Sequence, residues 1–327
     1  MQIPEFWAEV RLEGKVDERK RVVRRFGWSE SSQAEAQQHA KERADAALEE
    51  LRAGRKVPHR ERKLAYGNAG LPIREEVIAR NGSDVVTRNS YGARCLNEPD
   101  VLFADVDFER SLPGWQQRLL GAVGCNLPLL LVALAVVAAV NADWLETGAY
   151  LIAALLLLIM FIIALSWLRY RPGAQDEKMK EHVRAFISSQ AGCRFALYET
   201  PKGLRLLALH RTFDPRSEEV QAMFRELDGD PAYAQMCALQ ACFRARVSPK
   251  PWRIGIQRPP SSILWPVPDN LHRRRQNWVA RYETAANEYA ACRFVEELGD
   301  GRVDPRCREV QRMHDEMCRA RSELPIA

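Results

Sequence analysis

Asp105 and Asp107 close the apolar run Val101-Leu102-Phe103-Ala104-Asp105-Val106-Asp107-Phe108. Residues two apart on a strand share one face, so both carboxylates would project together from the strand's end. Such a pair suits a hard divalent cation such as Mg²⁺, which combines a few carboxylates with substrate phosphates. Glu109 would extend the acidic face if the strand continues. The plainer alternative is a solvated strand end, where acids are common.

A second group lies in Tyr198-Glu199-Thr200-Pro201-Lys202-Gly203-Leu204-Arg205-Leu206-Leu207-Ala208-Leu209-His210. Arg205 on a strand cannot enter a core unpaired, so it should meet water or an anion, and His210 closes the strand. On one sheet with Asp105 and Asp107, Arg205 and His210 could bind a triphosphate and assist its transfer. Against this stands an Arg205 that faces solvent and a His210 satisfied within the fold. A third group, Arg244, Arg246, Lys250 and Arg253, could hold phosphate or nucleic acid. His314 and Asp315 are neighbours on a helix and diverge, so they form no dyad. The chain has no Walker loop, Gly-rich dinucleotide turn, nucleophile elbow or His-Glu-x-x-His motif.

The charge is uneven. The whole chain carries +5, but Arg244 to Arg281 holds nine basic residues and one acid, and so carries +8. Trp252, Trp265 and Trp278 are interleaved with Arg273, Arg274, Arg275 and the other cations. A basic stretch beside aromatics can bind nucleic acid or anionic lipid headgroups, or it can be a solvated excursion whose tryptophans pack back on the domain. Eight cysteines are scattered with no Cys-x-x-Cys pair, which argues against a zinc ribbon or thioredoxin-like motif. They read as reduced, semi-buried small hydrophobes.

The elements needed to position these groups are those of an α+β domain. Phe6 to Leu12 and Arg21 to Trp28 read as strands. Ser32 with Glu35 fits a capping box, opening a helix that stops at Gly54. Asp84 to Arg88 is a short strand, and Val101 to Phe108 reads as a buried central one. Asp176 to Gln190 is predicted helical. Cys193 to Glu199 and Leu204 to His210 are predicted strands joined by the turn Thr200-Pro201-Lys202-Gly203. Asp214-Pro215 and Asp304-Pro305 each read as helix starts. Asn277 to Leu298 reads as one long helix ending at Gly299.

Two uncharged runs interrupt the chain, 119–142 and 147–168, separated by Asp143-Trp144-Leu145-Glu146. Each meets the ~20 residues a helix needs to cross a bilayer, so they predict a transmembrane hairpin. Basic residues flank both outer ends and only acids lie in the loop, which predicts cytoplasmic termini. The start, Met1-Gln2-Ile3-Pro4-Glu5, has neither basic region nor apolar core, so no cleavable signal peptide is expected. The expected fold is an α+β cytoplasmic domain interrupted by a two-helix transmembrane hairpin. It divides into a strand-strand-helix unit (1–54), a first domain part (55–118), the hairpin (119–168) and a second domain part (169–327).

An apolar strand ending Asp105-x-Asp107, followed later by Thr200-Pro201-x-Gly203 and a terminal His210, resembles the archaeo-eukaryotic primase superfamily. The resemblance implies metal at Asp105 and Asp107, and nucleotide phosphates at His210 and Arg205. The strings Tyr198-x-Thr200-x-x-Gly203-Leu204-Arg205 and Lys250-Pro251-Trp252-Arg253 are similar to those of bacterial membrane proteins without an assigned activity. Metal-dependent glycosyltransferases share the Asp-x-Asp ending. The expectation is a bacterial inner-membrane protein that handles a nucleotide or phosphoryl group with a divalent metal. The competing expectation is a non-catalytic membrane-anchored adaptor binding anionic lipid, nucleic acid or a protein through 244–281.

Overall fold

The computed structural model describes residues 1–59, 61, 71–107 and 172–327. The chain divides into two compact units, Met1–Asp107 with Val183–Ala327, and Phe108–His182. In the second unit, only the first turns of helix α2 (Pro172–Ser189) are described.

The first unit opens with a two-stranded ribbon, β1 (Phe6–Val16) against β2 (Arg19–Ser29). Asp17 and Glu18 turn it, both with positive φ, as a two-residue hairpin of matching twist requires. Helix α1 (Gln33–Arg52) lies on this ribbon through Ala36, Ala40, Ala44 and Ala47. Small residues let the backbones approach closely; a side chain on Gly27 would meet Ala40 N at 2.1 Å. Ser32 caps α1 by accepting from the Glu35 amide at 3.2 Å. The Glu35 carboxylate turns away to Ser29 Oγ at 2.6 Å, so the expected capping box is half formed.

Two four-stranded antiparallel sheets follow. The first runs β3-β4-β5-β9, from Glu76–Asn81, Asp84–Arg88, Arg94–Glu98 and Phe243–Arg246. The second runs β10-β7-β8-β6, from Arg293–Leu298, Phe195–Thr200, Gly203–Ala208 and Phe103–Asp107. All six residues of β8 are buried, Arg205 among them. Helices α3 (Glu218–Glu226), α4 (Pro231–Gln240), α5 (His272–Ala286) and α6 (Pro305–Cys318) complete the unit.

The outermost strands β6 and β9 are bridged by Tyr233 of α4. Its hydroxyl donates to the Phe103 carbonyl and accepts from the Arg244 amide, each at 3.1 Å. An unpaired strand edge exposes a row of backbone groups, and this hydroxyl satisfies one group on each.

Several expectations are corrected. The α+β domain with a transmembrane hairpin becomes an α+β fold, because among the described residues no helix is long and apolar enough to cross a membrane. The 20-residue α1, for example, carries Gln, Glu, Lys or Arg on every turn. The runs 119–142 and 147–168 lie outside the described residues. The expected two-helix inner-membrane location is not supported for the same reason. The run expected as a central strand is instead β6, last in its sheet, and buried because β9 and α4 cover it. The helix expected over 277–298 ends at Ala286, and its second half is β10, paired with β7. Asp214 accepts from the Ser217 amide in a turn at 3.0 Å, and Ser217, not Asp214, caps α3.

Candidate functional site

Asp105 and Arg205 are direct cross-strand partners in β6 and β8. Arg205 donates from Nε to Asp105 Oδ1 at 2.7 Å and from Nη2 to Oδ2 at 2.9 Å. Its Nη1 crosses to the other sheet and donates to the Arg246 carbonyl at 2.9 Å. The guanidinium thus ties β8, β6 and β9 together at the point where the two sheets meet. Burial pushes the Asp105 carboxyl up, but the charge and hydrogen bonds of Arg205 outweigh it and hold Asp105 below the ordinary carboxylate range. The anion that a buried Arg205 requires is therefore supplied from within the fold.

Asp107 shares the face of Asp105 and is exposed. Burial of its carboxyl and the nearby Asp105 raise its pKa, while Lys202 and Lys250 pull it down. The acidic pair is thus divided: both oxygens of Asp105 engage Arg205, and Asp107 alone faces outward with a free carboxylate.

Around Asp107 the charge is positive. Lys202 comes from the β7–β8 turn, Arg246 from the end of β9, and Lys250 and Arg253 from the segment that leaves it. Burial, then Arg246, Arg253 and Lys202, push the Lys250 amine down to about 8. Burial and Arg246 likewise lower Arg253. None of these four cations has an ion-pair partner within reach among the described residues. Arg246 Nε and Arg253 Nη1 are buried with no hydrogen-bond partner. Trp252, 43% exposed, borders the group, with Lys250 Nζ 5.6 Å and the Arg258 guanidinium 4.1 Å from its ring centre. Tyr91 meets Trp252 edge-on at 5.4 Å.

The other candidates are placed elsewhere. Arg244 pairs with the buried Glu75. Arg275 is buried, paired with Glu76 and donating to the Ile263 carbonyl at 2.8 Å. Arg273 and Arg274 are exposed on α5. The register sets Asp107 opposite Gly203 and Phe103 opposite Leu207, so His210, beyond Ala208, lies at the far end of the strand pair from Asp107. Its ring packs between Phe195 and Phe213, with Nδ1 3.0 Å from the Arg194 carbonyl, and burial lowers its pKa.

One cluster was missed from the sequence. Next to Arg205, His314 Nε2 lies 3.4 Å from Cys318 Sγ and 3.9 Å from Cys292 Sγ. All three side chains are buried. The hydrogen bond from Cys318 holds the Cys292 thiol down, while burial pushes Cys318 up. On its other side, His314 Nδ1 lies 3.4 Å from Asp315 Oδ1, so these helical neighbours, expected to diverge, are in contact; the same oxygen accepts from Tyr198 Oη at 2.6 Å. The signal available was His314-x-x-x-Cys318, whose four-residue spacing puts both on one helix face.

Compared with protein-family models, with curated proteins and with solved structures, the chain finds no match in any of the three.

Proposed function

We propose that the cations Lys202, Arg246, Lys250 and Arg253 bind a phosphorylated small molecule of nucleotide size, with Asp107 at the rim. The observation that carries this reading is the pair of buried, unpartnered guanidinium nitrogens, Arg246 Nε and Arg253 Nη1. A buried donor left unmade costs about 1–3 kcal/mol, more when charged, and phosphate oxygens would satisfy both. Phosphate matches a guanidinium fork better than a single acceptor does. The exposed Trp252 beside Lys250 offers a face on which an aromatic base can stack.

Isothermal titration of the full chain with pyrophosphate and with ATP, each with and without Mg²⁺, tests the proposal. ATP is expected to bind more tightly than pyrophosphate and to quench tryptophan fluorescence. Arg253→Met is expected to weaken ATP about 10- to 100-fold, the loss of one charge-assisted contact. No binding of either anion would sink the reading. Binding that requires Mg²⁺ and is lost in Asp107→Asn would place a cation at Asp107, as the acidic pair suggests from sequence.

A further inference from the structure

We infer that Cys292, His314 and Cys318 form a structural site for a soft divalent cation, with Zn²⁺ the best fit. The two helical ligands are four residues apart on α6, and so lie on the same face. Cys292 comes from the segment between α5 and β10. That segment is fixed against the end of α6 by backbone hydrogen bonds, Ala291 N to the Cys318 carbonyl at 2.9 Å and Phe294 N to the Ala320 carbonyl at 2.8 Å. These bonds hold the third ligand opposite the other two before any side chain is considered.

The spacing fits the ion. Tetrahedral zinc, with Zn–S of about 2.3 Å and Zn–N of about 2.0–2.1 Å, sets its ligand atoms roughly 3.5–3.8 Å apart. His314 Nε2 stands 3.4 and 3.9 Å from the two sulfurs, and all three ligand atoms lie within 4.8 Å of one another. A ligating imidazole needs a bare lone pair on the metal side and a proton on the other, usually held by a carboxylate. Asp315 Oδ1 sits 3.4 Å from His314 Nδ1 and fills that place. Asp315 is itself fixed by Tyr198 Oη at 2.6 Å and Arg321 Nε at 2.9 Å.

Charge agrees with this assignment. Two thiolates neutralise a divalent cation, and the adjacent Arg205 is already neutralised by Asp105. Arg205 Nη1 lies 3.4 Å from His314 Nε2 but is engaged by the Arg246 carbonyl at 2.9 Å, so a bound ion would take over the lone pair that faces it. Cys292, His314 and Cys318 are 0%, 0% and 1% exposed. A site so enclosed takes its ion as the chain folds, which is the behaviour of structural zinc sites.

The test is metal analysis and refolding of the full chain, purified without chelators or metal-affinity resin. About one zinc per chain is expected, released to a colorimetric chelator only when guanidinium unfolds the protein. Refolding with Co²⁺ should give a sulfur-to-cobalt charge-transfer band, absent in Cys292→Ser and in Cys318→Ser. Should those variants not fold, wild-type refolding with Zn²⁺ or with EDTA decides: recovery is expected with zinc and loss with EDTA. Metal-free protein that refolds equally well in EDTA would overturn the inference. So would a mass two hydrogens short, the mark of a Cys292–Cys318 disulfide.

Discussion

Arg205 holds both oxygens of Asp105, at 2.7 and 2.9 Å, across two strands whose sheet ends at that point. Only 2% of the Arg205 side chain is exposed, against 35% for Asp105. The two halves of the pair are therefore unequal in what each would lose without the other. Removing Asp105 strands a buried guanidinium, whereas removing Arg205 leaves a carboxylate that water can reach.

Asp105→Ala is accordingly expected to cost about 3–5 kcal/mol, the range for breaking a buried pair. Arg205→Met keeps the aliphatic volume and is expected to cost less, about 1–3 kcal/mol. Urea unfolding of both variants checks this order. Equal costs would mean that Asp105 is not solvated in the absence of its partner.

Lys250 should trade stability for ligand affinity. Its amine is pushed down to about 8 in the folded chain from an ordinary 10.5, so between these values the unfolded chain binds more protons. Stability attributable to this group therefore rises with pH from about 8 to 10.5. Lys250→Met is expected to raise the melting temperature at pH 7, with the gain gone by about pH 10.5. The same variant should weaken ATP about tenfold or more at pH 7 and flatten the loss of affinity as pH rises past 8. Parallel melting and titration series from pH 6 to 10.5 would show both effects.

Glu98 works in the opposite sense. It is fully buried beside Asp84, and Arg306 reaches both carboxyls. Burial and the Asp84 charge push the Glu98 carboxyl up to about 10. The folded chain therefore holds a proton there that the unfolded chain releases above 4.5. Stability from Glu98 is full below 4.5 and is lost as pH rises towards 10. Glu98→Gln mimics the protonated form. It should be tolerated at pH 7 and should flatten the decline in stability between pH 5 and 10, measured by denaturant titration.

Gly203 sets how closely β8 approaches β6. A side chain there would meet the Val106 carbonyl oxygen at 1.9 Å and Asp107 Cα at 2.8 Å. Both contacts are backbone and cannot swing away. Gly203→Ala is therefore expected to cost at least about 1–3 kcal/mol and to weaken ATP binding by shifting Asp107 and Lys202. A variant as stable as the parent in urea would refute the close approach.

Local structure was largely legible in the chain. β4 is the expected Asp84–Arg88, Ser32 caps α1, and Asp304 caps α6, because alternation and cap chemistry act over a few neighbouring residues. Asn277 to Leu298 misled because its apolar spacing fits a helix. Pairing with β7 decides its second half, and that partner lies almost a hundred residues away.

The sequence by itself determined that Arg205 must find a partner and that Asp105 and Asp107 share a face, since desolvation cost and strand geometry are local. It also marked 244–281 as cationic. Only the tertiary structure decided that Asp105 is the partner of Arg205, and that Arg244 and Arg275 are consumed by Glu75 and Glu76. It alone left Arg246 and Arg253 with unmet donors, and it alone brought Cys292 to His314 and Cys318. Each of these depends on which strands become neighbours. That choice is made by burying apolar surface over the whole chain, which no short window of residues records.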